Sequence, residues 1–150
     1  MIILGLSFGY HDSSAALLID GKLVAAAHEE RFTRVKNDKS FPVNAIMFCI
    51  KFANLNLSDV DFFSYYENPF LKFKRILDSS LISESKPIEY IDLLVENWLR
   101  HNRFEVDRII EKSLGLKNIK LFVSQHHYSH ACSAYFASNF NEAIVLTIDG

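Results

Sequence analysis

Apolar positions dominate Ile2 to Phe8, with Gly5 inside the run, which is the pattern of a buried strand. Gly9 to Ser14 is a polar turn. Ala15 to Ile19 and Lys22 to His28 then flank Asp20-Gly21, a dipeptide suited to the positive φ angles of a two-residue hairpin. Three strands are therefore predicted in succession. Glu29 to Ser40 is charged and reads as a loop. Phe41-Pro42 opens a helix with Pro42 in its first turn. Ala45, Ile46, Cys49, Ile50 and Ala53 recur at helical spacing toward Asn54.

In the second half, Val60 to Tyr66 reads as a short aromatic strand closed by Asn68-Pro69. Phe70 to Leu77 predicts one helical turn or two, and Asp78 to Ser85, polar and serine-rich, a loop. From Pro87 to Gly115, apolar residues recur at helical spacing: Ile88, Ile91, Leu94, Val95, Trp98 and Leu99, later Val106, Ile109, Ile110 and Leu114. This predicts a long helical region broken near Asn102, with Gly115 as its C-terminal cap. Ile119 to Val123 is a predicted strand, His127 to Ser138 a helix whose start lies up to two residues earlier, and Ala143 to Ile148 a final strand. Alternating strands and helices after three antiparallel strands make an α/β layer architecture, a mixed sheet with helices on its faces. Trp98 with Ile91 and Leu94, and the set Phe62, Phe63, Tyr65 and Tyr66, read as packing residues.

With 150 residues, 49% of them apolar, the chain has one domain's length and enough apolar surface for a core. A formal net charge of −2 gives no reason to expect nucleic acid or a polybasic membrane contact. Cys49 and Cys132, isolated in apolar helical surroundings, are expected to be reduced core residues, which points to the cytoplasm. Met1 to Gly5 lacks a basic leader and falls far short of the roughly 20 apolar residues of a membrane span. The chain ends on Asp149-Gly150, directly after the last predicted strand, and is read as the front piece of a longer protein.

The chemistry-bearing residues cluster at the two ends. His126 and His130 stand at i and i+4, so a helix places both imidazoles on one face, suited to a single divalent ion. Asp149 offers a carboxylate at a predicted strand end, and two imidazoles plus a carboxylate leave coordination positions free. The plainer reading is two histidines that cap a helix and bond locally. His127 points about 100° away from His126 and is assigned to packing or to supporting a ligand. In the first turn, His11 is suited to general-base work and Asp12 to orienting it. The plainer reading there is a turn whose polar side chains satisfy local backbone. Gly9 permits close approach to a ligand. Arg31 or Arg34, within Glu29-Glu30-Arg31-Phe32-Thr33-Arg34, suits a phosphate, although such a run is more often a solvated face; Lys36 and Lys39 are expected in solvent.

Five blocks, in order along the chain, resemble the NodU/CmcH family of O-carbamoyltransferases. They are Phe8-Gly9-Tyr10-His11-Asp12-Ser13-Ser14-Ala15-Ala16-Leu17; Glu29 to Arg34; Phe41-Pro42 with Tyr66-Glu67-Asn68-Pro69; His126-His127-Tyr128-Ser129-His130-Ala131; and Leu146-Thr147-Ile148-Asp149-Gly150. The resemblance implies a ribonuclease-H-like lobe of the actin-like ATPase (ASKHA) fold over residues 1–142, with 143–150 as the first strand of a second lobe. It implies transfer of a carbamoyl group from carbamoyl phosphate, through carbamoyl-adenylate made from ATP, to a hydroxyl of a sugar or natural-product acceptor. A YrdC-like domain beyond this chain would make the adenylate. The resemblance further implies a divalent metal (iron, manganese, zinc or magnesium) on His126, His130 and Asp149, with a further carboxylate from the second half of the fold. It places His11 and Asp12 at the catalytic turn and Ser13, Ser14 and Arg31 near nucleotide or donor. Expected partners are the hydroxylated acceptor, the second lobe and the YrdC-like domain, with a second copy of the chain as a further candidate; nucleic acid and membrane are not. Two other classes compete: a non-catalytic binding or scaffold module of the same fold, and a lobe of another actin-like ATPase or sugar kinase. The histidine pair discriminates against the latter.

Overall fold

The computed structural model describes residues 1–82 and 88–148. The chain forms two compact units: residues 1–66 with 107–123, and residues 67–106 with 124–148. The first unit holds a five-stranded sheet in the order β3-β2-β1-β4-β5. Its strands are β1 (Ile2–Ser7), β2 (Ser14–Ile19), β3 (Lys22–His28), β4 (Phe62–Tyr65) and β5 (Leu121–Val123). β1, β2 and β3 pair antiparallel, while β4 runs parallel to β1 and β5 parallel to β4. The hairpin falls at the predicted dipeptide, with φ of 51° at Asp20 and 77° at Gly21, angles that Gly adopts without strain.

Register builds the core of this unit. Leu4 lies opposite Leu17 on one side and Phe63 on the other, and Leu6 lies between Ala15 and Tyr65. Because side chains alternate, all six point to one face, and each is at most 4% exposed. Helix α2 (Val43–Phe52) covers β2 and β3 with Ala45, Ile46, Cys49 and Ile50, the predicted stripe. Each fully buried large aliphatic side chain contributes roughly 1.5–3 kcal/mol. Cys49 is free and buried, its Sγ–H donating to Ala15 O at 3.7 Å, and burial pushes its thiol pKa up. Cys132 is also free.

Glu29 was expected in a solvated charge run, but it is 2% exposed. The reason is the start of α2. Pro42 at its N-cap supplies no side-chain acceptor, so the first amides need one from elsewhere. Glu29 Oε1 accepts from Asn44 N at 3.2 Å and Asn44 Nδ2 at 2.6 Å, and Oε2 accepts from Ala45 N at 2.8 Å. A carboxylate at a helix N-terminus also meets the positive end of the helix dipole. The same run contains a one-turn helix, α1 (Glu30–Thr33), where a loop was predicted.

The second unit is helical: α3 (Pro69–Ile82), α4 (Ile88–Arg100) and α6 (His126–Tyr135), while α5 (Val106–Leu114) begins at its edge and continues in the first unit. The break near Asn102 is present, with φ of 47° there, and α5 ends before Gly115. Trp98 is 3% exposed and packs edge-on against Phe73 and tilted against Phe104, so the predicted core role holds. Ile91 and Leu94 are half-buried beside it.

Two further expectations fail. Residues 78–82, read as loop, complete α3, because Leu81 and Ile82 extend the helix and Ser80 Oγ–H donates to Ile76 O within it. Ser83 to Ser85 and Pro87 lie outside the described residues. The final strand at 143–148 is not formed: no ladder partner lies beside it among the described residues, and Ile144, Leu146 and Ile148 are 80% or more exposed. Strand propensity alone does not pair a backbone. Among the described residues no helix is long and apolar enough to cross a membrane.

Replacing Glu29 by Ala should cost about 2–3 kcal/mol, since it strands the amides that start α2. Urea unfolding measures this; a loss below about 0.5 kcal/mol would contradict the capping role.

Candidate metal centre and catalytic turn

The second unit carries the imidazole pair. Gln125 caps α6 in an extended conformation, which puts His126 in the first turn and His130 one turn later. Their Nε2 atoms face each other at 3.2 Å, with ring centroids 4.6 Å apart and ring planes at 89°. Two imidazoles bound to one ion at about 2.0–2.1 Å have their nitrogens about 2.9–3.4 Å apart, for angles between 90° and tetrahedral. The spacing is compatible with one cation, and it is equally that of a hydrogen bond between the two rings. His130 is exposed and the His126 side chain is 19% exposed, so solvent reaches the pair. Among the described residues no set of three His, Cys, Asp or Glu stands ready for a metal. Asp149 lies outside the described residues.

Sequence reasoning missed the group behind the pair. Glu67 is 3% exposed, and its Oε1 faces His126 Nδ1 at 3.7 Å. Lys72 Nζ donates to Glu67 Oε2 at 2.6 Å, and Arg75 Nη2 stands 3.6 Å from Oε1. Asn68 Oδ1 accepts from Phe70 N and Leu71 N, which starts α3 and aligns Lys72 and Arg75 on one face of it. A cavity of about 170 Å³ opens here, lined by Glu67, Lys72, Arg75, Gln125, His126 and His127 among others. His127 is exposed, lines this cavity, and has its ring centroid 5.9 Å from that of His126. The signal for Glu67 was an acidic residue just before a helix whose first turns carry two cations at i and i+3.

In the first unit, the turn after β1 is strapped by the chain at 37–40. Gly9 N donates to Lys39 O at 3.0 Å and Ser13 N to Asp38 O at 2.7 Å. Gly9 has φ of 91° and open space where a Cβ would stand. His11 is 75% exposed, and its Nδ1–H donates to Asp12 Oδ2 at 2.8 Å. Asn37 Nδ2 donates to Asp12 Oδ1 at 2.9 Å. The bond from His11, then that from Asn37, holds the Asp12 carboxyl below the usual carboxylate range. With Nδ1 carrying the proton, neutral His11 presents the Nε2 lone pair to solvent. Ser13 is 1% exposed, and its Oγ has no hydrogen-bond partner among the described residues; Ser14 is half-buried in β2. Arg31 is 71% exposed and pairs with Glu30 at 3.3 Å. Arg34, Lys36 and Lys39 lie in solvent.

The sequence matches the family described as the carbamoyltransferase N-terminus over residues 2–150, and the chain belongs to that family. It is 41% identical over 99% of its length to the uncharacterised protein sll1178 of Synechocystis, and 33% identical over 93% to the nodulation protein NolNO of Sinorhizobium fredii. A more distant relative, MJ1051 of Methanocaldococcus jannaschii, is 26% identical over 99% of the chain. The chain spans 25%, 19% and 22% of these proteins respectively.

The depressed Asp12 carboxyl contributes stability above its ordinary pKa, and that contribution fades as pH falls through the lowered one. Asn37→Ala should move the Asp12 titration upward in an NMR pH series. An unmoved Asp12 would show that Asn37 does not hold it.

Proposed function

We propose that the chain is the N-terminal part of a carbamoyltransferase that moves a carbamoyl group from carbamoyl phosphate, by way of carbamoyl-adenylate, to a hydroxyl of a sugar or natural-product acceptor. The observation that carries this reading is the facing imidazole pair at 3.2 Å in a chain of this family. The five-stranded mixed sheet with helices supports the ribonuclease-H-like lobe of an actin-like ATPase, with the second lobe and a YrdC-like domain supplied beyond residue 150. Free cysteines agree with a cytoplasmic setting.

His126 and His130, with Asp149, would hold a divalent cation: iron, manganese, zinc or magnesium. When bound, such an ion supplies Lewis acidity to phosphate or carbonyl oxygens. His11 is the acceptor base in this reading. Its Nδ1–H is committed to Asp12, so Nε2 takes the proton of the acceptor hydroxyl as that oxygen attacks the carbamoyl carbon. Asp12, acceptor-only and held by Asn37, steadies the imidazolium that results. The buried Ser13 hydroxyl, left without a partner among the described residues, is a group that a donor oxygen satisfies, with Ser14 next to it. Arg31, exposed at the surface and paired with Glu30, is suited to meet the donor phosphate.

In the intact protein, His130→Ala should abolish metal loading, measured by elemental analysis, while circular dichroism stays unchanged. Full metal content would rule out this ligand. His11→Asn should lower carbamoyl transfer from radiolabelled carbamoyl phosphate to acceptor by about 10²–10⁴-fold while carbamoyl-adenylate formation persists. Equal loss of both reactions would contradict the acceptor-base role.

A further inference from the structure

We propose that Glu67 is the positioning residue of the imidazole pair: its buried carboxylate holds His126 in the Nδ1–H tautomer, so that Nε2 turns its lone pair toward His130. What the pair is for rests on the metal reading above; the claim about the tautomer does not.

A carboxylate accepts and never donates, so the ring nitrogen that faces it is the one that carries the proton. Nδ1 of His126 is that nitrogen, at 3.7 Å, and a closure of well under 1 Å makes it a hydrogen bond. Lys72 grips the other oxygen at 2.6 Å, so the carboxylate is held from the α3 side and its Oε1 is presented to α6. Imidazole nitrogens diverge from each other across the ring. Glu67 at Nδ1 is therefore no ligand for an ion held at Nε2, but it sets which nitrogen that ion meets. The arrangement also explains the burial. A carboxylate at 3% exposure is costly unless it is paired and hydrogen-bonded, and Lys72, Arg75 and His126 surround it on three sides. Carboxylate partners of this kind fix ring orientation and raise ligand basicity, and their loss typically weakens metal affinity 10–100-fold.

The test has four arms on the intact protein. Histidine-selective ¹⁵N–¹H correlation of the metal-free wild type should show His126 as the Nδ1–H tautomer; finding the proton on Nε2 overturns the proposal with no substitution made. Cobalt(II) titration, followed by its visible absorption, should give a dissociation constant about 10–100-fold higher for Glu67→Gln than for wild type. The double variant Glu67→Gln with Lys72→Met removes the carboxylate and its buried ammonium partner together, and should show the same weakening with the fold kept. Affinity within twofold of wild type in a folded variant would overturn the proposal. His126→Ala separates the two claims. If it loses cobalt while Glu67→Gln does not, the positioning role alone fails; if it binds cobalt as wild type does, the metal reading fails.

Discussion

Each unit is organised by one buried carboxylate that must be paired. In the first, Glu29 leaves the end of β3 and supplies the acceptors that α2 lacks because a proline stands at its N-cap. In the second, Glu67 sits just ahead of α3 and is gripped by Lys72 from that helix while it faces His126 on α6. Removing water from a carboxylate is affordable only when donors replace it, so Glu29 takes the first amides of α2 and Glu67 takes the cations of α3. The groups with candidate chemistry, His11 to Ser14 and His126 with His130, lie one short step from these anchors.

The strands were legible because their signals are local. The alternation of Leu4 and Leu6 with Leu17, Ala15, Phe63 and Tyr65 carries the register, and Asp20-Gly21 carries the hairpin. The imidazole pair was legible for the same reason, since i and i+4 on a helix is a property of the chain alone. Glu29 and Glu67 were not legible as buried groups. Their burial depends on donors 15 and 16 residues away for Glu29, and for Glu67 on one 5 residues away and a histidine far along the chain. A charge read by itself looks solvated until its partner is known. The segment 143–148 fails in the opposite direction: its sequence has strand character, but a strand is a relation to a neighbour, and none lies beside it among the described residues.

In the proposed reading the chemistry is carbamoyl transfer, as membership of this family suggests, and the two clusters divide its labour. The turn at His11 offers a base whose tautomer is set by Asp12. The pair at His126 is, in the same reading, a cation seat, with the buried Glu67 Oε1 3.7 Å from His126 Nδ1 and proposed to set its tautomer. The two share one device: a carboxylate at Nδ1 that frees Nε2.

The central claim is that His126 and His130 hold one cation together. X-ray absorption of the metal-loaded intact protein tests it most directly. The account predicts a coordination shell containing two imidazole nitrogens, and a shell made only of oxygen donors would contradict it.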